Sequence, residues 1–220
     1  MTPIQARHLQ ARFLALWTRL GGVHGQDAYV DLARHYGEPT RCYHTLDHIR
    51  RCLRDLDWAR SEVPDTDAVE LALWCHDVIY VPGATDNEQR SVEWLRQWSG
   101  REISATERIA ALILETTHAD VPASQAGRFT ADIDLAALGS SRARFRQNGV
   151  NLRAERTDLD DAAYDAAERA FLRALLDCPR IYHTDPFHAR YEKQARDNLA
   201  WRLAQPGPPQ AAAPLKGIPR

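Results

Sequence analysis

Apolar residues recur at three- and four-residue spacing along nearly the whole chain, and no stretch alternates apolar and polar positions as a half-buried strand does. The pattern predicts an all-α protein. Helices are expected at about 3–20 (Ile4, Phe13, Leu14, Trp17, Leu20), 25–36 and 43–59 (Leu46, Ile49, Leu53, Leu56), with Gly21 and Gly22 ending the first. Others are expected at 66–80 (Val69, Leu73, Val78), 86–98 (Val92, Leu95) and 104–118 (Ile109, Leu112, Ile113), the last opened by a Ser104/Glu107 capping box. The segment 121–129 reads as a loop leading to a short helix at 131–138, which Gly139 would stop in a left-handed cap. Helices at 141–155, 158–177 and 187–204 complete the set, with Pro179 and Pro186 separating the last two.

Residues 205–220 carry five prolines and two glycines, a composition that predicts a disordered Pro/Ala-rich tail after a single domain spanning 1–204. Repeats, heptads and Gly-rich phosphate loops are missing from the sequence, which argues against P-loop and dinucleotide-binding enzymes.

At 220 residues, 44% apolar and 26% charged, the chain is long enough to bury a core without disulfides or a structural metal. Lys and Arg number 28 against 30 Asp and Glu, so a net charge of -2 offers no general attraction to nucleic acid or an anionic membrane. Cys42, Cys52, Cys75 and Cys178 form no CxxC pair and are expected to be reduced and mostly buried. With no membrane-length apolar run and no apolar leader in the first residues, a cytoplasmic protein is expected.

Nine histidines and six tryptophans exceed what packing requires. His44 and His48 lie four residues apart, which on a helix stacks both imidazoles on one face, and which surface histidines alone also produce. In 71–80, His76 and Asp77 sit inside a strongly apolar helical pattern, where a carboxylate is costly to bury unless a cation or several donors satisfy it. A divalent metal answers that cost, since adjacent imidazole and carboxylate suit Mn, Fe, Zn or Ni. Asp132 and Asp134 repeat the pattern in 131–138: Asp132 could serve as a helix N-terminal acid, whereas Asp134 lies between Ile133 and Leu135. Trp74 and Trp94 read as core.

A first His, a His-Asp doublet and a distant Asp in a helical chain resemble the H...HD...D signature of the HD-domain metal-dependent phosphohydrolases. The segments YHTLDHI, ALWCHDVIY, TDNEQRS, LILETTHAD, ADIDLAALG, IYHT and KQARDNL resemble one bacterial subfamily of predicted HD phosphohydrolases over roughly 5–204. The resemblance implies a single-domain helical bundle of about eight to ten helices with His48, His76, Asp77 and Asp134 as metal ligands. Asp134 is preferred to Asp132 because the family's Asp is followed directly by Leu or a similar residue.

By analogy with the related cyclic-nucleotide phosphodiesterases, His44 would be the general acid, and Asp77 would also orient or deprotonate the water. The cofactor implied is one or two divalent ions among Mn, Mg, Fe, Co, Ni or Zn. His118 could bind a second metal, contact substrate or cap a helix. Asp86 and Glu88 could likewise serve a second metal or the substrate, assist the water or merely begin a helix, and they depart from the alarmone-hydrolase pattern by lying beyond Pro82 and Gly83. For substrate phosphate the candidates are Arg90, Lys193, Arg153 and Arg196. Arg153 with Glu155 and Arg196 with Asn198 match the subfamily pattern. His8, His24, His35, His183 and His188 need no chemistry and are assigned to surfaces or turns.

The leading expectation is hydrolysis of a phosphate ester of a small molecule such as a nucleotide, by a chain that could be a homodimer. Two alternatives compete. One is a non-catalytic regulatory protein binding metal and nucleotide. The other is an HD-fold di-iron oxygenase, which would need further histidine ligands.

Overall fold

The computed structural model describes residues 2–210. Its ten helices are α1 (Pro3–Arg19), α2 (Gly25–Tyr36), α3 (Leu46–Ala59), α4 (Thr66–Cys75), α5 (Asn87–Ser99), α6 (Thr106–Leu114), α7 (Gln125–Leu135), α8 (Arg142–Glu155), α9 (Asp161–Asp177) and α10 (Asp185–Ala204). Short 3₁₀ turns, Glu115–Thr117 and Ala136–Gly139, extend α6 and α7, and the described residues include no strand. The all-α expectation holds, and none of the described helices is long and apolar enough to cross a membrane.

Helix α4 is the axis of the bundle, packed by α1, α3, α6 and α7, and every residue from Ala68 to Cys75 is buried. Each large apolar side chain buried there contributes about 1.5–3 kcal/mol. Trp74 joins an aromatic cluster in which Phe13 stacks on Trp17 at 5.3 Å and meets Trp74 edge-on at 5.4 Å. Trp94 also fills core, and its Nε1 donates to Asp31. Glu70, 1% exposed on α4, is neutralised by Arg12 at 2.7 Å and Arg60 at 2.7 Å. A charge can sit in this interior because two guanidiniums meet it.

Several boundaries differ from the periodicity, each for a local reason. Helix α3 begins at Leu46, after Thr45, whose extended backbone and hydroxyl cap the helix, so Tyr43 and His44 lie in a loop. Helix α4 stops at Cys75 instead of 80: the Arg41 guanidinium, buried beside it, donates to the carbonyls of Asp77 at 2.6 Å and Val78 at 2.9 Å. A tertiary donor there replaces the next helical turn.

The Ser104/Glu107 capping box does not form. Ala105 precedes α6 without a side-chain cap, and Glu107 pairs instead with Arg96. Helix α7 starts at Gln125, where Ser124 accepts from Gly127 N, so most of the expected loop is helical. Gly139 is absent from the positive-φ residues. A Cβ there would meet the Tyr191 Cβ at 2.7 Å, so glycine is required by the close approach of α10.

Of the expected disordered tail, residues 205–210 pack against the protein, with Arg169 donating to the carbonyls of Leu203 and Gln205; residues 211–220 lie outside the described ones. All four cysteines are free; Cys52 and Cys75 are buried, whereas Cys42 and Cys178 are exposed, contrary to expectation.

Candidate metal centre

The loop before α3, the end of α4 and the end of α7 meet at one point. His48 comes from the first turn of α3, His76 is the residue that closes α4, Asp77 follows it, and Asp134 lies in the last turn of α7. His76 keeps a helical backbone as it closes α4, its amide bonding the Ala72 carbonyl at 2.9 Å, and Asp77 is the first residue beyond it.

The donor atoms converge. His48 Nε2 lies 3.2 Å from His76 Nε2, 3.5 Å from Asp77 Oδ2 and 3.2 Å from Asp134 Oδ1. His76 Nε2 lies 3.0 Å from Asp77 Oδ2 and 3.3 Å from Asp134 Oδ1. Ligands about 2.1 Å from one ion stand about 3.0 Å apart at octahedral angles and about 3.4 Å apart at tetrahedral ones. The observed spacings fall at these edge lengths, so the residues fit a divalent ion. His76 Nδ1 donates to the Leu73 carbonyl at 3.0 Å, which presents its Nε2 as a lone pair, the usual outer bond of a ligating imidazole.

Both imidazoles are 2% exposed, but the two differ. Burial pushes His48 below the ordinary imidazole range, which keeps it neutral and able to ligate. Burial would lower the His76 pKa as well, but the charges of Asp77 and Asp134 outweigh it and raise it well above the ordinary value. Burial alone would raise the carboxyls of Asp77 and Asp134, but the neighbouring histidines hold both well below the usual carboxylate range, so both are charged.

Other enclosed carboxylates find ordinary partners. Glu70 has two arginines, Glu192 has Arg196 and the amides of Ile181 and Tyr182, and Asp132 has the amides of His183 and Thr184 with the Thr184 hydroxyl. Among the described residues, Asp77 and Asp134 pair with no arginine or lysine; their ion-pair partners are all imidazoles. His48, His76 and Asp77 could hold a metal ion, as could an overlapping set of His48, Cys52 and Asp134. Burial drives the Cys52 thiol pKa well up and keeps it protonated, which makes it the poorer donor.

Asp132 thus ties α7 to the start of α10 and does not serve the N-terminus of its own helix. His118 adopts the left-handed conformation at φ 54° and places Nε2 2.9 Å from Asp134 Oδ2. No grouping of three or more donors includes it among the described residues.

His44 sits in the loop beside the cluster, its ring 6.1 Å from that of His48, not stacked along one helix face as the spacing implied. Its position is set by Glu155 at the end of α8. Glu155 Oε1 accepts from the amides of Cys42, Tyr43 and His44 at 2.6, 2.6 and 2.9 Å, and Oε2 meets His44 Nδ1 at 2.6 Å. Burial would lower the His44 pKa, but the charges of Asp77, Glu155 and Asp134 outweigh it and raise it above the ordinary value.

Glu155 and Arg41, which hold the His44 loop and the turn at Asp77, carry no local signal of these roles beyond the adjacency of Glu155 to Arg153. Both act on residues far away in sequence.

The remaining candidates separate. Glu88 is half-buried, and burial, with a smaller contribution from the charge of Asp77, raises its pKa. Asp86 is exposed before α5 and makes no capping bond. The donors of Arg153 and Arg196 meet partners within the protein. Arg153 binds Asp161 and the carbonyls of Arg156 and Leu159, and Arg196 binds Glu192 and the carbonyls of Leu176, Cys178 and Pro179. Lys193 pairs with Asp197 at the surface, and Arg90 lines a separate shallow cleft with Arg34 and Trp94.

In comparisons with protein families, curated proteins and solved structures, the chain matches none.

Proposed function

We propose that this chain is a metal-dependent phosphohydrolase of the HD type that cleaves a phosphate ester of a small molecule. The observation that carries the reading is a pair of charged, enclosed carboxylates facing only imidazoles, at spacings that fit one divalent ion. His48, His76, Asp77 and Asp134 would hold it. A bound ion there lowers the pKa of a water ligand toward neutrality and polarises a phosphoryl oxygen.

The chain's own contribution is proton management. His44 Nδ1 is engaged by Glu155, which leaves Nε2 to carry the transferable proton, and the carboxylates around it raise its pKa, which favours the protonated form. As the P–O bond to the leaving group breaks and the bond to the water oxygen forms, His44 gives its proton to the departing oxygen. Asp77 or Glu88 would accept the proton lost by the water. His118 orients Asp134 through its second oxygen, an arrangement that favours a single ion.

The test is a panel of phosphomonoesters, cyclic nucleotides and pyrophosphorylated nucleotides with Mn, Mg, Co and Ni. Metal-dependent release of phosphate or nucleoside monophosphate is expected. Tight iron with oxygen uptake would overturn the reading for an oxygenase, and stoichiometric metal and nucleotide binding without turnover would overturn it for a regulatory protein.

A further inference from the structure

A cleft of ≈ 760 Å³ opens beside the cluster, between α8, α9 and α10, with residues 205–210 along one side. Its walls are apolar and aromatic, among them Phe145, Leu152, Phe171 and Trp201. Phe171 is 47% exposed, a large apolar side chain whose exposure is explained if the cleft is filled. Gly149 on α8 allows the Pro206–Gln210 segment to close in, since a Cβ there would already sit 3.3 Å from Pro209. Ligand sites of small molecules have this size and this lining.

Two observations make it more than a groove. First, Tyr43 and Tyr80 belong both to its lining and to the edge of the candidate centre. The Tyr80 ring lies 4.2 Å from the His44 ring, and the Tyr43 ring 5.2 Å from the His48 ring. The cleft therefore begins one aromatic ring away from the proton donor.

Second, two of its lining side chains carry buried donors with no partner among the described residues: Asn148 Nδ2, on a residue 5% exposed, and Arg202 Nη1, on a residue 4% exposed. A buried unpaired donor is costly, and an incoming acceptor removes the cost. Arg202 is already paired with Asp165 and Glu168, so the acceptor it suits is neutral, not a second phosphate.

We infer that the cleft receives the non-phosphate body of the substrate, a flat aromatic group bearing neutral acceptor atoms at its far end. This rests on the phosphohydrolase reading for the word substrate. The binding itself does not. A nucleobase offers both the flat face and the far-end acceptors and an aryl alcohol offers the flat face alone, and the two are separated by probing with adenosine and with 2-naphthol, neither of which carries a phosphate.

The experiment is equilibrium binding of each probe to the full-length protein without added metal, followed by tryptophan fluorescence and checked by calorimetry. Binding of at least one probe with Kd below about 1 mM is expected for a ligand of this size. In Ala167→Trp, where the substituted side chain on α9 fills the lining, the Kd should rise at least about tenfold with the circular dichroism spectrum kept.

Asn148→Leu should weaken adenosine more than 2-naphthol. Preference for adenosine marks a nucleotide, preference for 2-naphthol an aryl ester. Failure of both probes to bind, or binding unchanged in a folded Ala167→Trp, overturns the inference. Probe binding that Ala167→Trp removes, in a protein that hydrolyses nothing on the metal panel, supports the cleft and sinks the phosphohydrolase reading instead.

Discussion

Glu155 is the position where the structure makes its sharpest energetic claim. One oxygen accepts from three consecutive amides and the other meets His44 Nδ1, and the residue is 1% exposed. A hydrogen bond to a charged group contributes about 1.5–3 kcal/mol, and a buried donor left unpaired costs about 1–3 kcal/mol. Glu155→Ala removes all of these bonds, and allowing for water entering the space, a loss of about 4 kcal/mol is expected. For a chain of this size that corresponds to a melting temperature lower by about 8–16 °C.

Glu155→Gln keeps an oxygen for the amides and loses the charge, so about 1–2 kcal/mol is expected. The pH dependence carries a definite sign. His44 has a raised pKa in the folded protein, so its contribution is full below about pH 6.5 and is lost as pH rises through the folded value. Glu155 has a lowered pKa, so its contribution is full above about pH 4.3 and is lost as pH falls. The stability gap between wild type and Glu155→Gln is therefore widest between about pH 4.3 and 6.5 and narrows above it.

Urea denaturation at several pH values and thermal melts measure both. An Ala variant melting within about 2 °C of wild type, or a gap that stays constant from pH 5 to about 9, would refute the claim that Glu155 holds the loop through this charge pair.

Metal content, read by elemental analysis after purification with Mn present, should collapse in His48→Ala and in Asp77→Ala; stoichiometric metal in both would place the site elsewhere. His44→Ala should keep its metal and lose turnover by about 10²- to 10⁴-fold, the contribution of a positioned acid. Mn at about 100 times its Kd should stabilise wild type by about 2.7 kcal/mol in a thermal-shift assay and leave Asp134→Ala unmoved. Asp132→Ala, which removes the acceptor for two amides and a hydroxyl at the start of α10, should cost about 3 kcal/mol in urea without changing metal content.

The helical class and most helix positions are legible in the chain because a helix imposes its period on whichever residues face the core, as Leu9, Phe13 and Leu16 do on α1. The oddity of Asp77 and Asp134 is legible for a related reason: a carboxylate among apolar neighbours shows in one dimension that it needs a partner. The identity of that partner is not local. His48, His76 and Asp134 come from three helices, and only the packing of α3 and α7 against α4 brings their nitrogens and oxygens to 3.2–3.3 Å.

Long-range donors likewise decide where helices stop. Arg41 ends α4 from a preceding loop, and Glu155 draws Tyr43 and His44 off the helix from more than a hundred residues away. The arginines follow the same logic in reverse. Arg153 and Arg196 look free in the chain and are committed in the fold to carbonyls and carboxylates that surround them. Periodicity and burial cost are properties of neighbours in sequence and can be read there, whereas a hydrogen-bond partner or a shared cavity is a property of neighbours in space and exists only once the helices have packed.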